Sequence, residues 1–227
     1  MLTHITQDFL PNLKDHLLPR IMTILRHEVA NRDMDGRNTP SNDMPMPNVD
    51  PEIQGDRDRV FFKNDQIYQH KLAQFNYTTY DVRRAQDVIN PDTSRCNIMV
   101  LAPNKENTSL NCPFFYARVL GIYHANVVYI GPGMVDYSPR RLEFLWVRWY
   151  HNVAPMHSWK MAKLDRLQFF PAADERAFGF VDPGDVLRGC YIAPAFSAGK
   201  VHPDGNGLSR CARDSQDWRC YFVNRCV

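Results

Sequence analysis

The chain has 227 residues, of which 44% are hydrophobic and 12% aromatic, and its 27 Lys and Arg residues against 25 Asp and Glu give a net charge of +2. This composition fits a globular protein with room for one good core, and it excludes a disordered chain. The charge is too balanced to indicate a dedicated nucleic-acid binder by itself. No apolar run is long enough for a membrane helix, and Asp8 and Asp15 stand where a signal peptide would be basic or apolar, so we expect an intracellular protein without membrane contact.

Residues 1–30 are expected to form an N-terminal helical segment. Apolar residues recur at roughly helical spacing from Phe9 to Leu25. Pro11 suits a first helical turn, whereas Pro19 predicts a kink or break between two short helices. Two roles are open for this segment, since the helices could dock on the rest of the chain or present a face to a partner.

Residues 31–58 differ in character from both flanks. The stretch is rich in Asp, Asn, Pro and Met and has no apolar period. A structureless segment of this length is unusual inside one compact domain. It therefore predicts a flexible polar linker that separates the helical segment from a β-rich domain covering residues 59–227.

The remainder of the chain carries strand signals. Short apolar or alternating runs are separated by turn residues, with a turn expected at Asn64-Asp65 and a bulge or bend permitted at Gly121. There is no internal repeat and no alternation of strand and helix that would favour a nucleotide-binding α/β fold. The predicted fold class is mainly β with N-terminal helices (β+α), the strands forming a small, partly open β-barrel or coiled antiparallel sheet.

The segment "RRLEFLWVRWYH" (140–151) predicts a central strand of that sheet. Alternation places Trp146 and Arg148 on one face and Val147 and Trp149 on the other. Both faces are largely apolar, so the charge of Arg148 needs a partner or an exit to solvent. We expect Trp146 to be wholly structural and Trp149 to be partly exposed at the rim of the core.

Motifs of catalysis and cofactor binding are missing from the sequence. It lacks the Gly-rich phosphate loops, the G-x-S-x-G nucleophile motif and the H-E-x-x-H metal motif. The six cysteines form no C-x-x-C pair, and reduced thiols are expected; the group Cys211, Cys220 and Cys226 is the one cluster with any capacity for metal. The sequence therefore predicts a protein that is not an enzyme, with no cofactor and no metal.

Aromatic density is the remaining functional signal. Side chains of this kind around a pocket bind a quaternary ammonium, such as methylated lysine, through cation–π contacts. The same residue types also fill small β cores, and the sequence leaves both interpretations open. The candidates for an aromatic wall are Tyr116, Trp149, Tyr150 and Trp159.

Three stretches occur in the order of the signatures of bromo-adjacent homology (BAH) domains. They are "FYARVLGIY" (115–123), "LWVRWYH" (145–151) and "FVDPGDVLRGCYI" (180–192), and together they resemble that family over residues 94–196. The resemblance implies a BAH-like β-barrel that acts as a non-catalytic chromatin and protein-interaction module, located in the nucleus, with a histone tail or another protein as partner.

The whole chain is also similar to a transposon-associated protein family of mushroom-type fungi, including proteins of the Kyakuja-Dileera-Zisupton type. The stretches "NYTTYDVRRAQDVINP" (76–91) and "RRLEFLWVRWYH" (140–151) carry this second resemblance. It implies a transposon-derived origin. Because those relatives continue past the last residues of this chain, a truncated copy is expected.

Two alternative functions stay open at this level. One is a nucleic-acid-binding accessory region of a transposase, with clustered cations that bind phosphate beside aromatic rings that stack on bases. Its candidate residues are Arg140, Arg141, Lys160, Lys163 and Arg166. The other is a degenerate transposon fragment without a selected function.

Overall fold

A computed structural model describes residues 8–35, 57–78, 83–102, 113–131, 137–153, 164–207 and 209–224. The elements in chain order are helix α1 (Phe9–Asp35) and strands β1 (Val60–His70), β2 (Ala73–Thr78), β3 (Arg84–Ile89), β4 (Asn97–Leu101), β5 (Phe114–Tyr129), β6 (Arg140–Val153), β7 (Asp165–Phe169), β8 (Phe178–Val181), β9 (Val186–Gly189), β10 (Tyr191–Pro194) and β11 (Tyr221–Asn224). The protein is mainly β with one N-terminal helix.

Nine of the strands form one sheet. Its order is β10-β11-β7-β6-β5-β4-β9, with β1 pairing to β5 and β8 pairing to β6, while β2 and β3 form a separate hairpin. The pairs β10–β11, β11–β7, β2–β3, β4–β5, β4–β9, β6–β7 and β6–β8 run antiparallel. An antiparallel sheet with an N-terminal helix confirms the coarse fold class predicted from the sequence. Within the described residues the sheet is not closed on itself, so the barrel of BAH type stays a prediction.

The two-helix N-terminus predicted from Pro19 is wrong, because α1 runs unbroken through that residue. Proline cannot donate the backbone hydrogen bond of that turn. Tertiary packing outweighs this loss, since one face of the helix is buried from Leu13 to Leu25. That face consists of Leu13, Leu17, Leu18, Ile21 and Leu25, each at most 3% exposed. In the described part of the chain, no helix has the length and apolar character needed to cross a membrane.

The helix forms one compact unit with residues 57–68 and 124–143. Two ion pairs join the helix to the rest of this unit. Arg140 Nε donates to Glu28 at 3.2 Å, and Arg57 Nη1 donates to Asp15 at 3.2 Å. This grouping differs from the division expected at residue 59. The helix also includes the first residues of the predicted linker, and residues 36–56 of that linker lie outside the described part.

At the turn expected at Asn64-Asp65, within the bounds of β1, both residues have positive φ angles. Asn64 has a φ of 58° and Asp65 a φ of 51°. Two successive residues in the left-handed region are the combination that two-residue hairpin turns use, and Asn and Asp tolerate it better than other residues with a side chain.

The second compact unit comprises residues 69–123 and 144–227. Its central strands are covered on both faces by two hydrophobic clusters. Cluster A contains Phe75, Ile89, Ile98, Val100, Ala117, Val119, Ile122, Leu145, Val147 and Val181. Cluster B contains Met99, Tyr116, Tyr150, Leu167, Ile192, Tyr221 and Val223. Since β6 contributes to both clusters, the prediction that it is a central strand is confirmed.

A charged cluster lies within this unit, on the side of cluster B. The Asp217 carboxylate accepts a hydrogen bond from Arg118 Nη1 at 2.8 Å and another from Arg148 Nη1. Asp217 and Arg148 have side chains only 2% and 7% exposed. A buried charge is tolerated only when it is paired and hydrogen-bonded, so Asp217 supplies the partner that Arg148 was predicted to need.

An aromatic ring completes the environment of both arginines. The guanidinium carbons of Arg148 and Arg118 lie 4.0 and 4.5 Å from the centroid of the Phe169 ring. Tyr150 stacks on the same ring at 4.0 Å. Such cation–π contacts stabilise desolvated cations. Both cations pair with the same carboxylate, so loss of the Asp217 charge would leave both arginines without their anionic partner.

We expect Asp217→Asn to destabilise the protein more than any single change of its two arginine partners. The substitution keeps the shape of the side chain but leaves two buried guanidinium groups without an opposing charge, which typically costs about 3–5 kcal/mol. Arg118→Met is the matched comparison, because it leaves a neutral Arg148–Asp217 pair. Urea denaturation measures the free energy of unfolding of both variants. An Arg118→Met variant that is as unstable as Asp217→Asn would contradict the prediction.

The described cysteines Cys96, Cys190, Cys211 and Cys220 are free thiols. Burial raises the pKa of Cys190 to about 12 and also raises the pKa of Cys96. Cys211, by contrast, is exposed.

Iodoacetamide at about pH 8 is therefore expected to alkylate Cys211 in the folded protein and to reach Cys96 and Cys190 only after unfolding. A thiol whose pKa lies above the pH stays neutral and reacts slowly. Peptide mass spectrometry before and after denaturation measures the order of labelling. Alkylation of Cys190 in the folded protein at the rate of Cys211 would be inconsistent with this burial.

Candidate functional site: an aromatic corner on strand β6

Two hydrogen bonds along one edge of strand β6 fix the backbone of Trp149. Its N–H donates to the carbonyl of Ala177 at 2.9 Å, and its own carbonyl accepts from the N–H of Phe170 at 3.3 Å. The side chain packs against cluster A while remaining half-buried. This half-burial agrees with the partial exposure predicted for Trp149. The two backbone hydrogen bonds fix the position from which the indole extends.

A glycine makes room for this indole. Gly179 lies opposite Val147 in the β6–β8 ladder, and a Cβ atom at that position would stand 2.7 Å from Trp149 Nε1. Only a residue without a side chain fits under a ring at this distance. The ring of Phe115, which is 37% exposed, meets Trp149 edge-on, with centroids 6.3 Å apart and planes inclined by 74°. We call Phe115, Trp149 and Gly179 the aromatic corner.

The face of β6 that carries Trp149 continues to His151. The imidazole ring lies 4.9 Å from the ring of Phe170, and the guanidinium of Arg176 lies 4.7 Å from the same ring. Burial, followed by the positive charge of Arg176, lowers the pKa of His151 below its ordinary value. Hydrogen bonds from Arg176 lower the pKa of Asp174 to about 2. The corner is thus followed by the His151 ring and by the Asp174–Arg176 ion pair.

The other predicted members of the aromatic wall lie elsewhere or outside the described part of the chain. Tyr116 and Tyr150 are 1% and 4% exposed and belong to cluster B, so they face away from Trp149. The Tyr150 hydroxyl donates to Asn97 Oδ1 at 3.1 Å, and burial raises its pKa. The structure therefore does not bring Tyr116 or Tyr150 to Trp149, and Trp159 lies outside the described residues.

The two tryptophans of β6 differ less in burial than the sequence predicted. Trp146 is half-buried and stacks on Phe178 with centroids 6.1 Å apart. Its register partner across the ladder is Phe180. Trp146 thus packs on strand β8 and is not fully enclosed.

Three of the cations of the nucleic-acid interpretation lie in the described residues. Arg140 is bonded to Glu28 and Arg141 Nη2 donates to Glu143 at 2.8 Å. In the other compact unit, Arg166 Nε donates to Cys220 Sγ at 2.7 Å. Lys160 and Lys163 lie outside the described part. Three of the five candidates are therefore engaged with side chains of the protein itself.

The described residues contain no group of three His, Cys, Asp or Glu side chains that could hold a metal ion. Cys226, one member of the predicted terminal trio, lies beyond the described part. The remaining pair does not share one environment, since Cys220 is buried and Cys211 exposed.

No family model, curated protein or solved structure matches the chain. Sequence reasoning missed Phe115 as a member of this site, although it stands in the quoted stretch 115–123. The alternation of β5 indicated that either Phe115 or Tyr116 would share a face with Trp149. The choice between them depends on the strand register, because a slip of one residue exchanges the two faces.

We expect Gly179→Ala to displace the Trp149 indole and to change its fluorescence emission. A methyl group at 2.7 Å from Nε1 cannot coexist with the present ring position. The spectrum of the folded variant measures the shift, and the same substitution in a Trp149→Phe background controls for the other tryptophans. An equal spectral change in both backgrounds would show that Trp149 is not the residue that moves.

Proposed function

We propose that this chain is a non-catalytic protein-interaction module of chromatin, with a BAH-like fold, and that the aromatic corner binds a methylated lysine of a histone tail. The observation that carries this proposal is the half-exposed Trp149, held at right angles to Phe115. Aromatic faces attract quaternary ammonium groups through their negative quadrupole. The assignment to the nucleus and the transposon-derived origin are parts of the same proposal.

The arrangement of the three BAH-like stretches supports the fold part of the proposal. Residues from each stretch meet in cluster A: Ala117 and Val119 from the first, Leu145 and Val147 from the second, and Val181 from the third. The β8 strand of the third stretch pairs with β6 of the second. Signatures that are distant in sequence thus build one core, which is the relation expected of motifs that define a domain.

The local setting of the corner suits binding more than chemistry. Trp149 is fixed through both backbone hydrogen bonds, and its ring position is fixed by contact with Gly179. A preformed aromatic surface binds a cation with little loss of side-chain entropy. A trimethylammonium group needs only such a surface, because it has no N–H to donate.

The experiment is binding of the full chain to an array of methylated and unmethylated histone peptides, followed by titration of the best peptide. We expect Trp149→Ala and Phe115→Ala to weaken binding about fivefold or more, since one cation–π contact contributes roughly 0.5–2 kcal/mol. Tyr191→Ala is the matched control, because it removes an aromatic ring that is 54% exposed on strand β10.

Thermal unfolding of each variant separates loss of binding from loss of folding. The proposal predicts that the Trp149→Ala variant remains folded and that unmethylated peptides bind more weakly than methylated ones. If the folded wild-type chain binds no peptide on the array, or if Tyr191→Ala and Trp149→Ala have equal effects, the aromatic corner is not a recognition surface.

A further inference from the structure

The β2–β3 hairpin has two faces of opposite character. The strands pair antiparallel from Ala73↔Ile89 to Thr78↔Arg84, with Asn76 opposite Gln86. Phe75 and Ile89 point inward and belong to cluster A. Alternation therefore assigns an outer face to Gln74, Asn76, Thr78, Arg84, Gln86 and Val88, and all of these except Val88 are exposed.

The Asp87 carboxylate lies on the inner face of the hairpin and is paired there. Asp87 Oδ2 accepts from the backbone N–H of Gly189 at 2.8 Å and lies 3.6 Å from Arg188 Nε. The guanidinium of Arg188 in turn lies over the Tyr77 ring at 4.5 Å. Among hairpin residues 73–78 and 83–89, Asp87 is the only carboxylate. The outer face of this described part consequently carries cationic and neutral groups and no anionic one.

The amides of the outer face are already ordered. Gln86 Nε2 donates to Asn76 Oδ1 at 3.1 Å and to Gln74 Oε1 at 3.5 Å. An amide group has two donor hydrogens and an oxygen that accepts twice, so each of the three retains capacity for further hydrogen bonds. Arg84 at the turn end and Lys71 just before β2 are both exposed and add positive charge at the two ends of this row.

We propose that the outer face of the β2–β3 hairpin reads the major groove of duplex DNA. That groove is about 12 Å wide and admits a two-stranded β-ribbon. The side-chain row from Gln74 to Thr78 extends about 14 Å at the usual strand rise. Asn and Gln bind the adenine edge and the Thr methyl contacts thymine, while Lys71 and Arg84 are placed for phosphates at the two ends of the row.

This inference goes beyond the proposed function and uses none of its residues. The ligand of the aromatic corner is a cationic peptide, whereas the ligand of the hairpin is a polyanion. It also differs from the nucleic-acid interpretation drawn from the sequence, because Arg140, Arg141 and Arg166 are not part of the hairpin. Failure of one proposal therefore leaves the other standing.

The test is fluorescence anisotropy of the full chain with a labelled pool of DNA duplexes whose central base pairs are randomised, followed by selection of the tightest binders. Arg84→Ala should weaken duplex binding fivefold or more and reduce the slope of log K against log salt by about 0.9 for a lost phosphate contact. Arg219→Ala, which removes an exposed arginine outside the hairpin, should change affinity less than twofold.

A triple variant, with alanine at positions 74, 76 and 86, tests base reading separately. It should bind the selected duplex no more tightly than the random pool, while affinity for the pool stays within twofold. Trp149→Ala should leave DNA binding unchanged. The proposal is overturned if no duplex binds at about 50 mM salt, or if Arg84→Ala equals Arg219→Ala in effect. It is equally overturned if an RNA duplex competes as well as DNA, since the A-form major groove is too narrow for side chains.

Discussion

The carboxylate of Asp217 is the constraint on which the larger compact unit depends. Strands β5 and β6 carry Arg118 and Arg148 inward, and both guanidinium groups pair with this one side chain. Asp217 comes from the segment just before β11, so burial of both arginines in the folded state depends on C-terminal residues. Residues 94–196 therefore do not contain the carboxylate that Arg118 and Arg148 share, and the compact unit extends at least to Asp217.

The same constraint fixes where the candidate site lies. Because Arg148 faces Asp217 and Phe169 on one side of β6, alternation sends Trp149 to the opposite side. There the indole meets Phe115 and the bare backbone of Gly179. The buried ion cluster and the proposed recognition surface thus lie on the two faces of one strand, so a substitution in the corner leaves the contacts of the ion cluster in place.

The aromatic corner and the outer face of the β2–β3 hairpin offer complementary chemistry. The corner presents π faces, which suit a cation, and the hairpin presents amides and Arg84, which suit base edges and phosphates. Asp87 contributes to this contrast, because its bond to the Gly189 N–H holds the one described hairpin carboxylate on the inner face. A protein that engages both a histone tail and duplex DNA would hold the two components of chromatin together.

The sequence by itself determined the local features of this protein. Alternating apolar residues indicated the strands and the central position of β6, helical spacing indicated an N-terminal helix, and the rim position indicated partial exposure of Trp149. Local signals could not reveal that packing would carry α1 through Pro19. Nor could they reveal that Arg148 would pair with a residue 69 positions later, or that Phe115 rather than Tyr116 would meet Trp149. Tertiary structure decided these points, because burial free energy, long-range charge pairing and strand register arise only between segments distant along the chain.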